Sequence, residues 1–471
     1  MPRPDRKPRK IFNNVDIIDT ADEGLAIGRC EDGLIIQVRG AVPGDKVNVE
    51  ALDKRKGMYM TRVTSILTFS PDRVEPFCSH FGTCGGCKWQ HMDYDAQVRF
   101  KEKKVHDAFQ RIGGLDTSLI KPIVKAPSQR YYRNKLEFTA TDRRWLTEEE
   151  LARQDEIFNK NGIGFHLVGA FDKVLDIQHC YLQADPSNDI RHFVKQLCID
   201  HNWSFSSLRF KNGFLRNIIV RNNLAGDVMV ILVVGENEKE WITTIVNALK
   251  EKFLQIISIY SCYNHKVNDS LHDLALDHLF GETGLIETLG TTRFKIGPKS
   301  FFQTNSAQAF TLYSLAKEMA ALKPEDNVYD LYCGVGSLGI FMADQCRQVV
   351  GIEQISEAII DAKANAELNG FTNTQFVTGQ VEMILEPGFI SKYGKPDVIL
   401  TDPPRMGMHP NVIPHLLAAA PNRIVYVSCN PATQARDLKM LSEDYDLVSA
   451  VPVDMFPHTH HIECVALLLH K

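Results

Sequence analysis

The chain has 471 residues, which is too many for one hydrophobic core and predicts two to four domains. Its composition, 44% hydrophobic and 24% charged, is typical of a globular protein in water, and no apolar run reaches the roughly 18 residues of a membrane span. The net charge of −5 excludes a uniformly basic surface, so any nucleic-acid-binding surface is local.

A basic, proline-rich tail, residues 1–12, opens the chain and is expected to be disordered. An RNA-binding arm is the alternative. Because the tail lacks an apolar core, it predicts no secretory signal and a cytoplasmic protein. Thiols stay reduced there, so the eleven cysteines are expected to be ligands, nucleophiles or core residues rather than disulfides.

Five short segments separated by turn residues follow the tail. They predict strands at 14–19, 24–29, 33–38, 46–51 and 58–67, which suits a small β-barrel of the oligonucleotide-binding type over residues 13–68. The run Lys54-Arg55-Lys56 with Tyr59 and Arg62 gives this barrel a basic, aromatic face suited to RNA. A solvated charge run is the alternative interpretation.

Three cysteines lie within ten residues near the start of the next predicted domain, residues 69–290. Cys78, Cys84 and Cys87 are interspersed with glycines, which let a loop curl until several sulfurs face one centre. This clustering predicts a metal or cluster site, and spacing alone does not choose zinc over [4Fe–4S]. Three residues are candidates for the fourth ligand: Cys180, the nearest downstream cysteine, His80 and His179.

The rest of this middle domain is predicted to be mixed α+β. A helix is expected over 93–112, ended by Gly113-Gly114 and packed on the C-terminal domain. The segment 130–135 interleaves tyrosines with three cations as it opens a strand, a composition suited to RNA, with a half-exposed strand as the alternative. Residues 143–162 predict a charged helical insertion in a hairpin, and 165–175 a single strand.

From residue 291 onward, strands and helices alternate, which predicts a Rossmann-like domain with a parallel sheet. The strand that ends at Asp330 leads into the glycine turn 334–336 and a helix, so a ligand can approach the backbone there. Glu353 ends the next strand, where a carboxylate accepts hydrogen bonds from a ribose. Taken by itself, this turn is also compatible with NAD. The lack of a phosphate-binding lysine after it argues against a P-loop nucleotide, and S-adenosylmethionine is favoured.

Two later strands also end on chemically active groups. Asp402-Pro403-Pro404-Arg405 follows one, and Cys429-Asn430-Pro431 follows the other. Ligands bind at this edge of parallel sheets, so Cys429 is placed to attack one, although a purely hydrophobic cysteine is the alternative. Amino-group methyltransferases have an aromatic residue after Asp-Pro-Pro, so Arg405 disfavours that chemistry. Near the end, Glu463 opens the last strand, and a metal site is the less favoured interpretation of three histidines: His458, His460 and His461.

Together these motifs resemble the S-adenosylmethionine-dependent RNA uracil-5 methyltransferases, and among them the 23S ribosomal RNA branch with a TRAM barrel and an iron–sulfur cluster. The residues that carry the resemblance span nearly the whole chain: Cys78, Cys84, Cys87, Cys180, 302–303, 330–334, 402–405, 428–431 and 461–463. The tRNA-specific members are expected to lack the barrel and the cluster cysteines, so the resemblance favours ribosomal RNA as the partner. Ser337 departs from the asparagine of some members.

The resemblance implies a role for each of these residues. A [4Fe–4S] cluster of structural or RNA-organising function would be held by four cysteines: Cys78, Cys84, Cys87 and Cys180. Contacts to S-adenosylmethionine would come from four residues: Gln303, Tyr332, Glu353 and Asp402. Cys429 would add to carbon 6 of uracil, and Glu463 would remove the proton from carbon 5. The alternatives are a tRNA uridine methyltransferase, an amino-group nucleic-acid methyltransferase and a non-catalytic RNA-binding protein; no membrane or obligate protein partner is expected.

Overall fold

The structure is a computed structural model that describes residues 9–153 and 159–471. The chain divides into two compact units, Met1–Lys103 with Phe456–His461, and Lys104–Met455 with Ile462–Lys471. The predicted disordered tail lies outside the described residues as far as residue 8. Within the described ranges, no helix combines the length and the apolar character needed to cross a bilayer.

A closed five-stranded barrel lies in the first unit, with strand order β1-β2-β3-β5-β4. Its strands are β1 Ile11–Thr20, β2 Ala26–Arg29, β3 Ile35–Arg39, β4 Lys46–Arg55 and β5 Met58–Thr68. Alternate apolar residues point inward, so that Ile36, Val38, Val47 and Val49 are buried. The predicted barrel is therefore confirmed, and β4 extends four residues further than expected because the turn at Gly57 (φ +84°) continues the pairing.

The predicted basic face of the barrel is partly neutralised by its own carboxylates. Arg55 pairs with Asp53 at 2.9 Å, and Arg62 pairs with Glu50. Tyr59 packs edge-on against Phe12, with ring centroids 5.2 Å apart. This aromatic ring therefore contributes to the barrel core.

Asp45 ties the barrel to the segment that follows it. Its carboxylate accepts hydrogen bonds from the N–H of Val42 (2.7 Å), the N–H of Ser70 (2.9 Å) and the guanidinium of Arg73 (2.6 Å). Burial opposes ionisation, but the bonds from Arg73 and the backbone outweigh it and lower the pKa of Asp45. This stabilisation is present at neutral pH and is lost as the pH falls through the folded pKa.

Asp45→Ala is expected to lower the free energy of local unfolding of the barrel by about 2–4 kcal/mol, because it removes hydrogen bonds to a buried charge. Hydrogen exchange of the barrel amides measures this, since a multi-domain chain does not unfold in one step. Asp53→Ala, at an exposed pair, is the control and should change exchange by less than about 0.5 kcal/mol. Equal effects of the two substitutions would contradict this role of Asp45.

Helix α1, Tyr94–Ala108, continues into a π-helical turn, Phe109–Gly113. It ends at Gly114, whose φ of +64° is the left-handed conformation expected of a C-terminal glycine. In the second unit, Val105 and Phe109 are fully buried in one cluster with Leu331 and Leu438 of the C-terminal sheet domain. The end of the predicted 93–112 helix therefore belongs to the core of that domain.

An eight-stranded sheet forms the middle of the second unit, with order β13-β12-β11-β10-β6-β8-β9-β7. Its strands are β6 Lys135–Thr141, β7 Arg144–Trp145, β8 Gly162–Leu167, β9 Ala170–Asp176, β10 Leu215–Asn222, β11 Val228–Val234, β12 Ile256–Tyr263 and β13 Asp277–Gly281. The helices among them are α2 Glu148–Ala152, α3 Ser187–Asp200 and α4 Lys239–Lys252.

Two expectations for this sheet need correction. The single strand predicted at 165–175 is a hairpin of β8 and β9, because Gly169 (φ +75°) reverses the chain. The helical insertion predicted at 143–162 contains a five-residue helix, α2, started by a capping box between Thr147 and Glu150; its residues 154–158 lie outside the described ranges.

The C-terminal part of the second unit is a seven-stranded sheet of order β18-β17-β16-β19-β20-β22-β21, preceded by the hairpin β14 Leu285–Leu289 and β15 Thr292–Ile296. The strands are β16 Asn327–Leu331, β17 Gln348–Glu353, β18 Thr374–Thr378, β19 Val398–Thr401, β20 Arg423–Ser428, β21 Tyr445–Val453 and β22 Glu463–His470. The helices are α5 Ser306–Ala320, α6 Ser337–Phe341, α7 Ser356–Leu368, α8 Val381–Ile384, α9 Pro387–Tyr393, α10 Val412–Ala419 and α11 Pro431–Leu441. Strand β22 runs antiparallel to both neighbours, and the other pairings are parallel, so the predicted Rossmann-like fold is confirmed.

Candidate active site

The carboxyl ends of four parallel strands meet at one edge of the C-terminal sheet. Leu331 pairs with both Ile352 and Thr401, and Thr401 pairs with Tyr426. Strands β16, β17 and β19 therefore end within one residue of one another, and β20 continues two residues further. The chain leaves this edge through residues that the sequence singled out: Tyr332, Glu353, Asp402 and Cys429.

The antiparallel pairing of β20 with β22 brings the two predicted catalytic residues together. Ser428 pairs with Cys464, so the next residues outward, Cys429 and Glu463, face each other across the two strands. The electrostatic effect of Glu463 on the Cys429 thiol agrees with this proximity. The two residues are 34 positions apart in sequence, and the register of one strand pair makes them neighbours.

The turn that carries Cys429 is fixed by its own side chains. Asn430 caps helix α11, accepting from the N–H of Ala432 at 3.1 Å, and its Nδ2 donates to the carbonyl of Arg405 at 2.9 Å. Thr433 donates to the same carbonyl at 3.3 Å. The Asp-Pro-Pro-Arg loop is therefore attached to the start of the helix that follows Cys429, and Cys429 lies at the positive end of the helix dipole.

Two buried residues of α11, Gln434 and Asp437, stabilise this arrangement through hydrogen bonds. The sequence analysis did not single out either of them. Gln434 donates from Nε2 to the carbonyls of Tyr426 (3.0 Å) and Cys464 (3.1 Å), which joins β20 to β22 beside the catalytic pair. Asp437 accepts from the hydroxyl of Tyr426 at 2.7 Å and from the N–H of Met408 at 2.9 Å. Polar residues on the buried face of a helix are the only sequence signal for these roles.

Several carboxyl groups lie at this edge, and burial raises their pKa. Burial raises the pKa of Asp330 and of Asp402 to about 7. Burial raises the pKa of Glu463 well above its usual value, and the nearby Asp402 adds to that rise while Arg405 opposes it. A cationic ligand at this edge is therefore electrostatically favoured.

The Cys429 thiol is less acidic than an ordinary cysteine. Burial raises its pKa to about 11, the carboxylates of Glu463 and Asp402 contribute to the rise, and the guanidinium of Arg405 opposes it. The positive charge of Arg405 favours the thiolate, but its effect does not outweigh burial.

The glycine turn between β16 and α6 is held by two of these acids. Glu353 accepts from the N–H of Gly334 at 3.2 Å, and Asp330 accepts from the N–H of Gly339 at 2.9 Å. Gly334 has φ +55°, and a Cβ atom there would meet nothing within 4 Å, so the backbone borders open space. Tyr332, with φ +62°, is in a conformation that is costly for a tyrosine and recurs at binding sites.

Tyr332 and Gln303 are the other two predicted cofactor contacts. Tyr332 packs against the main core cluster, and its hydroxyl is buried. Gln303 is buried, and its backbone carbonyl accepts from Nδ2 of Asn134 at 2.9 Å. Asn134 also donates to Ser306 at 2.8 Å, which fixes the start of α5 beside the edge.

Tyr313 is a site residue that sequence reasoning missed. It lies on the buried face of α5, and its hydroxyl is 3.0 Å from the hydroxyl of Ser337 at the start of α6. Burial raises the pKa of Tyr313, and the carboxylates of Asp402 and Asp330 add to the rise. The Tyr313 hydroxyl therefore lies close enough to these two acids to be affected by their charge. A tyrosine among small residues on a buried helix face was the available signal.

The three clustered cysteines lie in the first unit, and Cys180 lies in the second. The sulfur of Cys78 accepts from two backbone N–H groups that follow it, and that of Cys84 accepts from the N–H of Gly86 at 3.4 Å. Across the described ranges, no three histidine, cysteine or acidic side chains are grouped as metal ligands.

The backbone around Cys180 is firmly held in the second unit. Its N–H donates to Oδ1 of Asn188 at 2.8 Å, and Asn188 returns a bond to the Cys180 carbonyl at 3.2 Å. The buried guanidinium of Arg191 donates to Asn188 and to the carbonyl of Gln178. This loop is therefore preformed around the cysteine.

A metal site was the less favoured interpretation of the three histidines near the end of the chain, and the structure gives His458 other partners. His458 is buried and is held by Gln97, which accepts from its N–H at 2.8 Å and whose amide nitrogen lies 3.2 Å from its Nδ1. The carbonyl of His458 accepts from the N–H groups of Lys88 and Trp89. These bonds give His458 a structural role within the first unit.

The tyrosine-rich segment 130–135 precedes β6 rather than forming it, since only Lys135 lies in the strand. Tyr131 is 44% exposed, and its hydroxyl is 3.1 Å from Nε2 of His179. Tyr181 lies next to both rings, with centroids 4.5 Å from His179 and 6.1 Å from Tyr131. The segment offers exposed aromatic surface, as an RNA contact requires.

Arg405→Gln is expected to raise the pH at which Cys429 is half-alkylated by iodoacetamide by about 0.5–1, because it removes the cation that opposes the rise in the thiol pKa. Arg405→Lys should give a smaller shift. Peptide mass spectrometry over a pH series separates Cys429 from the other thiols. Lys439→Gln, at the exposed far end of α11, is the control, and an equal shift in both variants would exclude a specific effect of Arg405.

Comparison with known proteins places this site in a family. Residues 290–471 match the model for tRNA (Uracil-5-)-methyltransferase. An RNA methyltransferase of Bacteroides thetaiotaomicron, named as uncharacterized, is 46% identical over 95% of this chain and 99% of its own. A similarly named protein of Porphyromonas gingivalis is 45% identical over 97% of this chain and 99% of its own.

A solved structure matches almost the entire chain. The tRNA (uracil-54, C5)-methyltransferase of Pyrococcus abyssi, in complex with S-adenosyl-L-homocysteine, has a TM-score of 0.76 and 29% identity over 97% of this chain and 100% of its own. A tRNA enzyme therefore matches this chain along its whole length, so the expectation that the barrel separates ribosomal from tRNA enzymes is wrong. The chain belongs to the RNA uracil-5 methyltransferase family.

Proposed function

We propose that this enzyme methylates carbon 5 of a uridine in 23S ribosomal RNA, with Cys429 as nucleophile, Glu463 as general base and S-adenosylmethionine as methyl donor. The observation that supports it best is the β20–β22 register, which sets a thiol opposite a buried carboxyl at the edge that carries the glycine turn. Amino-group methylation needs no such pair, and a non-catalytic RNA-binding protein needs neither the pair nor the turn.

The residues at the edge fit S-adenosylmethionine. Its sulfonium and ammonium groups are cations, and Asp330, Asp402 and Glu463 are acids whose pKa burial raises. A nearby cation would favour their ionised forms. Gly334 leaves open space at the turn, and Glu353 beside it is the acceptor expected for a ribose. Tyr332 and Gln303 complete the proposed contacts.

Carbon 5 of uracil is a weak nucleophile, and Cys429 overcomes this by adding to carbon 6. The sulfur forms a bond to carbon 6, and the electrons of the carbon 5–carbon 6 double bond move to the carbonyl oxygen as an enolate. Arg405 and the start of α11 favour the thiolate that this step needs. Bound S-adenosylmethionine would supply an electrophilic methyl group; carbon 5 bonds to that methyl carbon as the methyl–sulfonium bond breaks, and the electron pair of the broken bond stays on the sulfur of the neutral thioether that leaves.

Glu463 completes the reaction by removing the proton from carbon 5. The electrons of that carbon–hydrogen bond re-form the double bond, and the carbon 6–sulfur bond breaks to release Cys429 as a thiolate. A raised pKa makes a carboxylate a stronger base, which suits a proton held by carbon. The target uridine has to leave its stack for both residues to reach it.

Cys429→Ala is expected to abolish methylation and the covalent adduct with RNA that contains 5-fluorouridine, because no sulfur remains to attack carbon 6. Glu463→Gln should still form a thiol–RNA adduct but release it slowly, since the carbon 5 proton is retained. Denaturing gel electrophoresis and peptide mapping measure the adduct. Cys262→Ala, at a buried cysteine of β12, is the control and should form the adduct normally; rapid, clean turnover by Glu463→Gln would remove Glu463 from the mechanism.

The choice of RNA rests on the sequence resemblance, and a tRNA uridine is the second candidate because the solved tRNA enzyme matches 97% of the chain. Mass-spectrometric mapping of 5-methyluridine in a deletion strain separates them. Loss of the modified base from 23S ribosomal RNA alone supports the proposal, and loss from tRNA alone supports the alternative.

The proposal includes a [4Fe–4S] cluster held by four cysteines: Cys78, Cys84, Cys87 and Cys180. Sulfurs that accept backbone N–H bonds in a glycine-containing loop have the donor chemistry of such clusters, which supports the proposal at Cys78 and Cys84. The cluster would have a structural role, and no catalytic step passes through it.

Protein purified without oxygen is expected to be brown and to contain about four irons per chain. Cys84→Ser should lose iron and visible absorbance because a ligand is removed, whereas Cys262→Ser should keep both. Elemental analysis and absorption spectra measure this. Zinc in place of iron in the native anaerobic protein would overturn the cluster assignment.

A further inference from the structure

An exposed phenylalanine lies beside two arginines on the eight-stranded sheet domain, away from the active site. The side chain of Phe210 is 62% exposed. The guanidinium carbons of Arg209 and Arg143 lie 5.5 Å and 5.9 Å from its ring centroid. Both distances are close to the roughly 6 Å limit of a cation–π contact, so the two contacts are weak and the ring remains exposed to solvent.

The loop that presents Phe210 has a fixed conformation. Ser207 donates from its N–H to the carbonyl of Asn212 at 2.8 Å, and Gly213 donates to Oε1 of Glu236 at 3.0 Å. A Cβ atom at Gly213 would lie 2.3 Å from the carbonyl oxygen of Phe205, so this position requires glycine. The exposure of Phe210 is therefore a property of a defined loop.

A polar cleft of about 450 Å³ opens beside this loop, a volume within the range of small-ligand sites. Trp203 and Phe205 contribute apolar lining. Amide and carboxylate groups form its polar lining: Asp142, Asn159, Asn161, Asn202, Asn212 and Glu236. Such groups match the mixed donors and acceptors on the edges of nucleobases.

Resting on the function proposed above, we propose that Arg143, Arg209 and Phe210, the "Phe210 platform", bind a single-stranded nucleotide of the RNA substrate. One base stacks on the ring, the arginines bind the adjoining phosphates, and the next base enters the polar cleft. The charge balance agrees with an anionic partner. Arg209 has no salt bridge within the described part of the chain, and Arg143 is 4.0 Å from its nearest carboxylate, Asp142. The polar cleft favours RNA over an apolar protein segment.

The platform is remote from the methylated nucleotide. Strand β10 runs from Leu215, beside the platform loop, to Asn222, and its length is roughly 25 Å at roughly 3.3 Å per residue. Asn222 donates to the carbonyl of Asn134, whose side chain donates to Gln303 at the active-site edge. Only an RNA that extends well beyond the target uridine can therefore reach both places.

The test compares two RNAs: a long transcript that the wild-type enzyme methylates, and a short hairpin that contains only the target loop. Phe210→Ala is expected to raise KM for the long RNA about tenfold, the effect of losing one base–aromatic stack, and to change kcat less than twofold. For the hairpin its KM should change less than twofold. The double variant R143Q/R209Q should lower the slope of log Kd against log salt by about 1–2.

Two variants of the same domain are matched controls. Leu254→Ala removes an apolar side chain that is 86% exposed, and Lys252→Gln removes a cation 4.2 Å from the Phe193 ring. Both should bind and methylate the long RNA as the wild type does. If Phe210→Ala and R143Q/R209Q also do so, the platform proposal is overturned.

The outcomes also separate this proposal from the proposed function. If the wild type methylates no 23S ribosomal RNA transcript, the proposed function fails, and filter binding of a long transcript still decides whether the platform binds RNA. If Phe210→Ala lowers the melting temperature, the arginine variant carries the test alone. Unchanged RNA binding in both variants would point to a protein partner for this surface and refute the RNA proposal.

Discussion

The antiparallel pairing of β20 with β22 is the constraint on which the candidate active site depends. A parallel sheet alone brings Asp330, Glu353, Asp402 and Cys429 to one edge, but it does not bring Glu463 to Cys429. The reversed last strand does so, because the register Ser428–Cys464 leaves Cys429 and Glu463 as the next facing positions. Gln434 bonds to both strands at this point and makes the register resistant to slippage.

The electrostatics of the edge suit a reaction that begins only when a cation is present. Burial raises the pKa of Cys429, Asp402 and Glu463, and neighbouring carboxylates add to the rise for Cys429 and Glu463. A sulfonium beside them would favour the ionised form of each group. The thiolate and the base would then arise together with the methyl donor, which protects the thiol from side reactions in the free enzyme.

Much of this could be predicted from the sequence because the informative residues follow buried strands. Apolar runs that end in Asp402 or Cys429 identify both the strand and its exit, and the positions of Gly57 and Gly114 identify turns and a helix end. The roles of Gln434, Asp437 and Tyr313 could not be predicted, since each depends on contacts with residues that are near only after folding. The hairpin at 162–176 was missed because one glycine reverses an otherwise strand-like run.

The assignment of the substrate depends on different observations from those that identify the site. Family membership follows from relatives that match nearly the full length of the chain, and a solved tRNA enzyme matches 97% of it, so the presence of the barrel does not by itself identify the RNA. Specificity would then arise from surfaces such as the segment around Tyr131 and the Phe210 platform. These surfaces lie on the middle sheet domain, where sequence can vary without altering the catalytic edge.

Release of tritium from RNA labelled at carbon 5 of uridine tests the central claim most directly. If Cys429 activates carbon 5 and Glu463 removes its proton, each methyl group transferred should release one tritium to water, and Cys429→Ala should release none. Methyl transfer to the RNA with the tritium retained would contradict the account, because another atom of the base would then be the acceptor.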